Sequence, residues 1–159
     1  MGIKIQLKGM MFMQYFIWGS WLITLGAYMM QTLNFTGIEV GLVYGSKGIA
    51  ALIMPGLLGI IADKFIPANR LYIICHLICA VALFFAASVT DPTIMFWVMF
   101  INALAFMPTI ALSNSIGYFC LNKHKLDSVA NFPPIRVFGT IGFIIAMWCV
   151  SLFKLELSN

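Results

Sequence analysis

Gln14, Trp18, Trp21, Leu25 and Tyr28 follow one another at intervals of four, three, four and three residues. On a helix those intervals share a face, so one stripe carries an amide, two indoles and a phenol. Two uses fit it: a stacking surface for a flat polar ligand, or helix packing with aromatic anchoring at a membrane interface. An amide in hydrocarbon is expensive without a partner, so the stripe faces protein or water in either case. Asn102, Phe106, Thr109 and Ser113 make a second stripe, with Asn114 and Ser115 beside it and Pro108 interrupting the hydrogen-bond ladder. Such a break is tolerated where the freed backbone lines a cavity or is satisfied by neighbours. Arg136 and Thr140 share a third face with Phe143 and Met147. Arg136 opposes the dipole of the helix it opens. It is an ordinary charge at the inner membrane face, or a planar fork of donors at the mouth of a cavity. None of the three sets suits bond-breaking.

Enzyme chemistry is missing in other respects too. No carboxylate falls inside an apolar stretch, and there is no Gly-rich phosphate loop, Ser-x-x-Lys or Gly-x-Ser-x-Gly site. Cys75, His76 and Cys79 lie together, but no third or fourth ligand is near in sequence, and buried thiols are the commoner arrangement. No cofactor and no metal are expected. Lys47 is the unusual charge. It falls about ten residues into an apolar run, where a Lys costs about 2.5–3.5 kcal/mol to insert. A charge placed there is a functional candidate, or a Lys that snorkels or pairs elsewhere.

The elements that must carry these residues are set by composition. Of the 159 residues, 62% are apolar and 9% charged, against roughly 45–50% and 25% in soluble domains. Five acidic and nine basic side chains cannot solvate a water-facing surface of this size, so the solvent is lipid. Five apolar stretches stand out, over residues 9–33, 38–62, 71–89, 94–119 and 135–153. Each exceeds the roughly 18 residues that mark a spanning helix. Lys4 and Lys8 resemble a signal-peptide start, but the apolar run after them is too long for one and carries Gln14 and two Trp. The first stretch therefore reads as a retained helix. Gly41-x-x-x-Gly45, with Gly48, predicts that the second helix approaches a neighbour closely, and Pro55 predicts a bend. The two prolines at 133 and 134 predict a long loop over residues 120–134.

Charge placement gives the orientation. With the N-terminus inside, Lys4, Lys8, Lys64, Arg70, Lys123, Lys125 and Arg136 are all cytoplasmic. Glu39, Asp91, Lys154 and Glu156 are outside. Seven inner basic residues against one outer, with Lys47 set aside as buried, satisfy the positive-inside rule. The net charge of +4 thus marks a membrane side and not nucleic acid. Five helices with no stop after the last read as a chain cut off before a full transporter is complete.

Gly59-Ile60-Ile61-Ala62-Asp63-Lys64 resembles the helix 2–3 loop signature of the major facilitator superfamily, although Ile66 and Pro67 stand where that signature continues with Gly and further basic residues. Trp18-Gly19-Ser20-Trp21, Met54-Pro55-Gly56-Leu57-Leu58-Gly59 and the run from Phe132 to Phe143 sharpen the likeness. Together they are similar to the nucleoside:proton symporters of that superfamily, over essentially the whole chain. The resemblance implies an all-α membrane protein with five transmembrane helices, most of the N-terminal six-helix half, with the second half absent. It implies that helices one, two, four and five surround the substrate route, and that Arg136 and Thr140 face a nucleoside cavity. The expected activity is secondary active transport of nucleosides across the cytoplasmic membrane with protons as coupling ion. Arg136, Thr140, Gln14 and Asn102 supply polar contacts, and Trp18, Trp21 and Phe143 supply stacking faces. Asp63, with Gly59 and Lys64, belongs to the inner gate. Lys47 matches no family motif. The coupling carboxylate is expected beyond Asn159. A transporter for another polar solute such as a sugar, and a membrane scaffold that transports nothing, are the rival readings.

Overall fold

A computed structural model describes residues 2–153, apart from the side chain of Asp63. The gating role expected of Asp63 and the outer charges Lys154 and Glu156 therefore lie outside the described residues. Every described element is helical: α1 Ile3–Trp21, a short α2 Thr24–Ala27, a π-helical turn Tyr28–Thr32, α3 Gly37–Lys64, α4 Ala68–Ala86, α5 Pro92–Lys123 and α6 Ser128–Leu152. Five of them are long. Four are long and apolar enough to cross a membrane, namely Gly37–Ala62 within α3, then α4, α5 and α6. The helix α1 is not among the four. It carries Lys4, Gln6, Lys8 and Gln14 in its 19 residues, and the apolar run expected to continue it to residue 33 breaks after Trp21. The Ser20 hydroxyl donates to the Ile17 carbonyl at 2.7 Å, and the Thr24 hydroxyl to the Ser20 carbonyl at 3.0 Å. Side chains that bond back to the backbone compete with the helical ladder in this way.

Three of the long helices use a carboxylate in their N-terminal caps. Thr36 and Glu39 form a reciprocal cap on α3: the Glu39 amide donates to Thr36 Oγ1 at 3.4 Å, and the Thr36 amide donates to Glu39 Oε2 at 2.7 Å. Asp91 Oδ1 accepts from the amides of Thr93 and Ile94 at 2.8 and 2.9 Å, with Pro92 at the first helical position, where its missing N–H costs nothing. Asp127 Oδ1 accepts from Val129 and Ala130 at 2.9 and 3.4 Å. This last cap overturns the loop expected over residues 120–134. The helix α5 runs to Lys123, α6 begins at Ser128, and Pro133 and Pro134 lie inside it. The Asp127 cap, reinforced by the Asn131 side chain donating to the Asp127 carbonyl at 2.6 Å, starts the helix before the prolines. They then delete two bonds to carbonyls of its opening turn, on an exposed side.

The described chain divides into two compact units, one of residues 2–28 with 113–153 and one of residues 29–112. In the first, α1 and α6 are in close contact. Their buried positions, Leu7, Met11, Gln14, Tyr15 and Gly19 on α1 and Ile135, Gly139, Gly142, Ala146 and Val150 on α6, recur mostly at three and four residues. Glycines allow the approach. A Cβ at Gly19 would lie 2.7 Å from the Phe143 carbonyl oxygen, and one at Gly142 would strike the Phe12 carbonyl oxygen. A Cβ at Gly117 would meet the Phe132 ring at 2.6 Å, and that ring stacks on Tyr118 with centroids 4.2 Å apart.

In the second unit, Leu71, Cys75 and Leu112 form a core with Leu58, Ile61 and Ala62 of α3 packed against it. The close approach expected of Gly41, Gly45 and Gly48 is not seen among the described residues: none of them lies within 4 Å of a Cβ built at any of the three. All three are exposed, because the residues α3 buries, among them Val43, Ser46, Lys47 and Ala50, lie on its other side. Among the described residues the close-packing glycines belong to α1 and α6. Pro55 sits within the unbroken α3.

Candidate functional site

The first unit gathers most of the residues singled out in the sequence. Arg136, two turns into α6, is half-buried. Its Nη2 donates to the hydroxyl of Tyr15 on α1, and its guanidinium carbon lies 4.2 Å from the Tyr15 ring centroid. The cation thus rests on the face of the same ring whose hydroxyl it engages, a contact worth about 0.5–2 kcal/mol depending on how dry it is. Tyr15 continues into an aromatic row. Its ring is 5.8 Å from Trp18, and Trp18 meets Phe143 edge-on at 5.9 Å. Gly19, one residue after Trp18, admits the Phe143 backbone. Gln14 is fully buried beside Tyr15 on α1. Trp21 is half-buried at the last residue of α1, and Thr140, one turn beyond Arg136, is exposed. The result is a wall with a planar cation, a buried amide and three aromatic faces, built from two helices that glycines hold together.

Tyr15 was not part of the sequence-derived set. The signal was present: Met11, Tyr15 and Gly19 follow at four-residue intervals, and Tyr15 lies three residues before Trp18. The stripe running through Gln14 and Trp21 drew attention to the neighbouring face.

The remaining residues lie in the second unit. Asn102 is fully buried, and its amide donates to the Cys79 carbonyl at 3.4 Å while the Cys79 thiol lies 3.7 Å from the Asn102 carbonyl. This reciprocal contact joins α4 to α5 and explains why Cys79 is buried. The Asn102 Oδ1 atom is buried with no hydrogen-bond partner among the described residues. His76, next to Cys75, has Nδ1 3.0 Å from the Tyr72 carbonyl and its ring 4.3 Å from Tyr72. Lys47 is 8% exposed in mid-α3, with its ammonium 3.7 Å from the centroid of the Tyr44 ring. Gly59 is half-buried and Lys64 is exposed at the end of α3. A cleft of about 450 Å³ lies among Leu77, Ile78, Val81, Ala82, Phe85, Val98 and Ile101. Its wall is hydrocarbon throughout and offers no donor to a polar ligand.

Comparison with known proteins points the same way. The chain is 68% identical over all 159 residues to the xanthosine permease of Escherichia coli, and 55% identical to the nucleoside permease NupG of the same organism. It covers 38% of the length of each. A crystal structure of the nucleoside transporter NupG superposes with a TM-score of 0.96 at 56% identity, over 99% of this chain and 39% of that one. The family model described as nucleoside H+ symporter matches residues 1–159. A match over the full chain, on a helical frame that overlays a solved member, means that this chain belongs to the nucleoside H+ symporter family.

Proposed function

We propose that this segment is the N-terminal part of a proton-coupled nucleoside transporter of the cytoplasmic membrane, working by alternating access about a midplane site. The observation that carries the reading is the α1–α6 wall. Arg136 offers directed donors to a base carbonyl or ribose oxygen, and Trp18 and Phe143 offer faces of the size of a nucleobase. Gln14 and Thr140 extend the polar contacts, and Trp21 extends the aromatic ones; Asn102, in the second unit, is a separate polar candidate with a buried acceptor. Gly59, Asp63 and Lys64 serve the inner gate at the end of α3. Xanthosine is one substrate to include, given the relative that carries it in its name.

The test is uptake of labelled uridine and xanthosine by cells that lack other nucleoside transporters and express the intact gene product. Saturable uptake that collapses with a protonophore and resists excess sugar is the expected result. Uptake blocked by sugars favours another solute, and no uptake of either nucleoside sinks the reading.

A further inference from the structure

Arg136 has two reasons to sit where it does, and both are Tyr15. The ring lies beneath the guanidinium at 4.2 Å, and the hydroxyl accepts from Nη2. A flexible arginine side chain held at one edge by a hydroxyl and on one face by a ring has its remaining N–H donors fixed in direction. Tyr15 itself is 5% exposed, wedged by the packing of α1 on α6. Gly139 makes room for the pair: a Cβ there would lie 2.6 Å from Tyr15 Cδ2 and 3.0 Å from Arg136 Nη1. A missing side chain, a buried phenol and a half-buried cation thus converge on one spot.

We propose that Tyr15 is a positioning residue, which holds the Arg136 guanidinium in the direction in which it meets the substrate. The inference rests on the nucleoside-transport reading above. It adds a residue on α1 whose hydroxyl acts through the arginine on α6, and it assigns Gly139 the role of keeping their contact open. Removing the hydroxyl while keeping the ring frees the fork without removing the charge. The affected quantity is substrate affinity, with the maximal rate largely preserved.

The experiment is a double-mutant cycle in the full-length transporter with Tyr15→Phe, Arg136→Lys and both together. Tyr15→Phe is expected to raise the half-saturation constant about tenfold, the usual weight of a hydrogen bond to a charged group. In the Arg136→Lys background the same change is expected to matter less than about twofold, because contacts acting as a unit are not additive. Gly139→Ala, which displaces the pair without deleting either member, is expected to resemble Tyr15→Phe. Equal effects of Tyr15→Phe in both backgrounds would overturn the proposal. A second readout needs no substrate: the rate at which an arginine-directed dicarbonyl reagent modifies Arg136, followed by peptide mass spectrometry. That rate should rise several-fold in Tyr15→Phe, and an unchanged rate also overturns the proposal. If the wild type takes up no nucleoside, the transport reading fails, and the modification rate still decides whether Tyr15 holds Arg136.

Discussion

Lys47 shows how much a single aromatic contact can do. A lysine near mid-span costs about 2.5–3.5 kcal/mol on insertion, and an ammonium 3.7 Å from the Tyr44 ring centroid recovers about 2 kcal/mol at best. By itself that contact offsets only part of the penalty. Replacing the lysine with an apolar residue of similar length should leave the fold at least as stable. We expect Lys47→Met in the full-length protein to keep or raise the thermal midpoint in detergent. The variant should also retain accumulation driven by an imposed pH gradient in proteoliposomes, with affinity changed by no more than about tenfold, or 1.4 kcal/mol. Loss of accumulation with downhill exchange intact would make Lys47 the coupling residue. At this scale the sequence was informative where the side chain was odd for its surroundings: Arg136, Gln14 and Lys47 stood out as polar atoms in an apolar run. Tyr15 did not stand out, because a tyrosine among tryptophans and phenylalanines reads as packing until a distant arginine is seen to rest on it. Their contact spans 121 positions in the chain, and no local spacing reports that.

At the scale of elements, the packing of α1 on α6 depends on atoms that are not there. Gly142 faces the Phe12 carbonyl and Gly19 faces that of Phe143, so the obstacles are backbone and cannot swing aside. Gly142→Ala is expected to destabilise the full-length protein by about 1–3 kcal/mol, the range for overpacking, seen as a lower thermal midpoint. Gly9→Ala on the same α1, where nothing lies within 4 Å of the new methyl, should be neutral or gain up to about 1 kcal/mol from helix propensity. Equal effects would remove the glycine contact as the determinant of the pair. The helices themselves were legible because hydropathy over some 20 residues is a strong signal. Their ends were less so. The prolines at 133 and 134 suggested a loop, but the stronger determinant was the Asp127 cap, six residues before the first of them. The Gly41 and Gly45 motif meets no neighbour among the described residues for a related reason: a motif gives the capacity for close approach, and only the buried side of α3 says which way it points.

For the whole molecule, charge and helix direction agree in part. The helices α3 and α5 begin at Glu39 and Asp91 and end at Lys64 and Lys123, so in both the acidic end and the basic end also match the helix dipole. On the seven-to-one basic bias we expect the loops around residues 64–70 and 123–127 to face the cytoplasm. Single cysteines at Ala68 and Thr93, in a background without native Cys, should divide cleanly in intact cells. An impermeant thiol reagent should label position 93 and spare position 68, and the opposite pattern reverses the topology. The caps carry one more consequence. Glu39, Asp91 and Asp127 each spend a carboxylate oxygen on backbone amides. What those three starts require is an acceptor, and a neutral one serves: Asn or Ser caps about as well as Asp at 91 and 127, and Gln replaces Glu39 in the capping box. The negative charge of these caps is therefore separable from their architecture: a segment with neutral acceptors at those three positions would keep its helices while its outer turns lose their acidic charge and its basic inner face loses one acid.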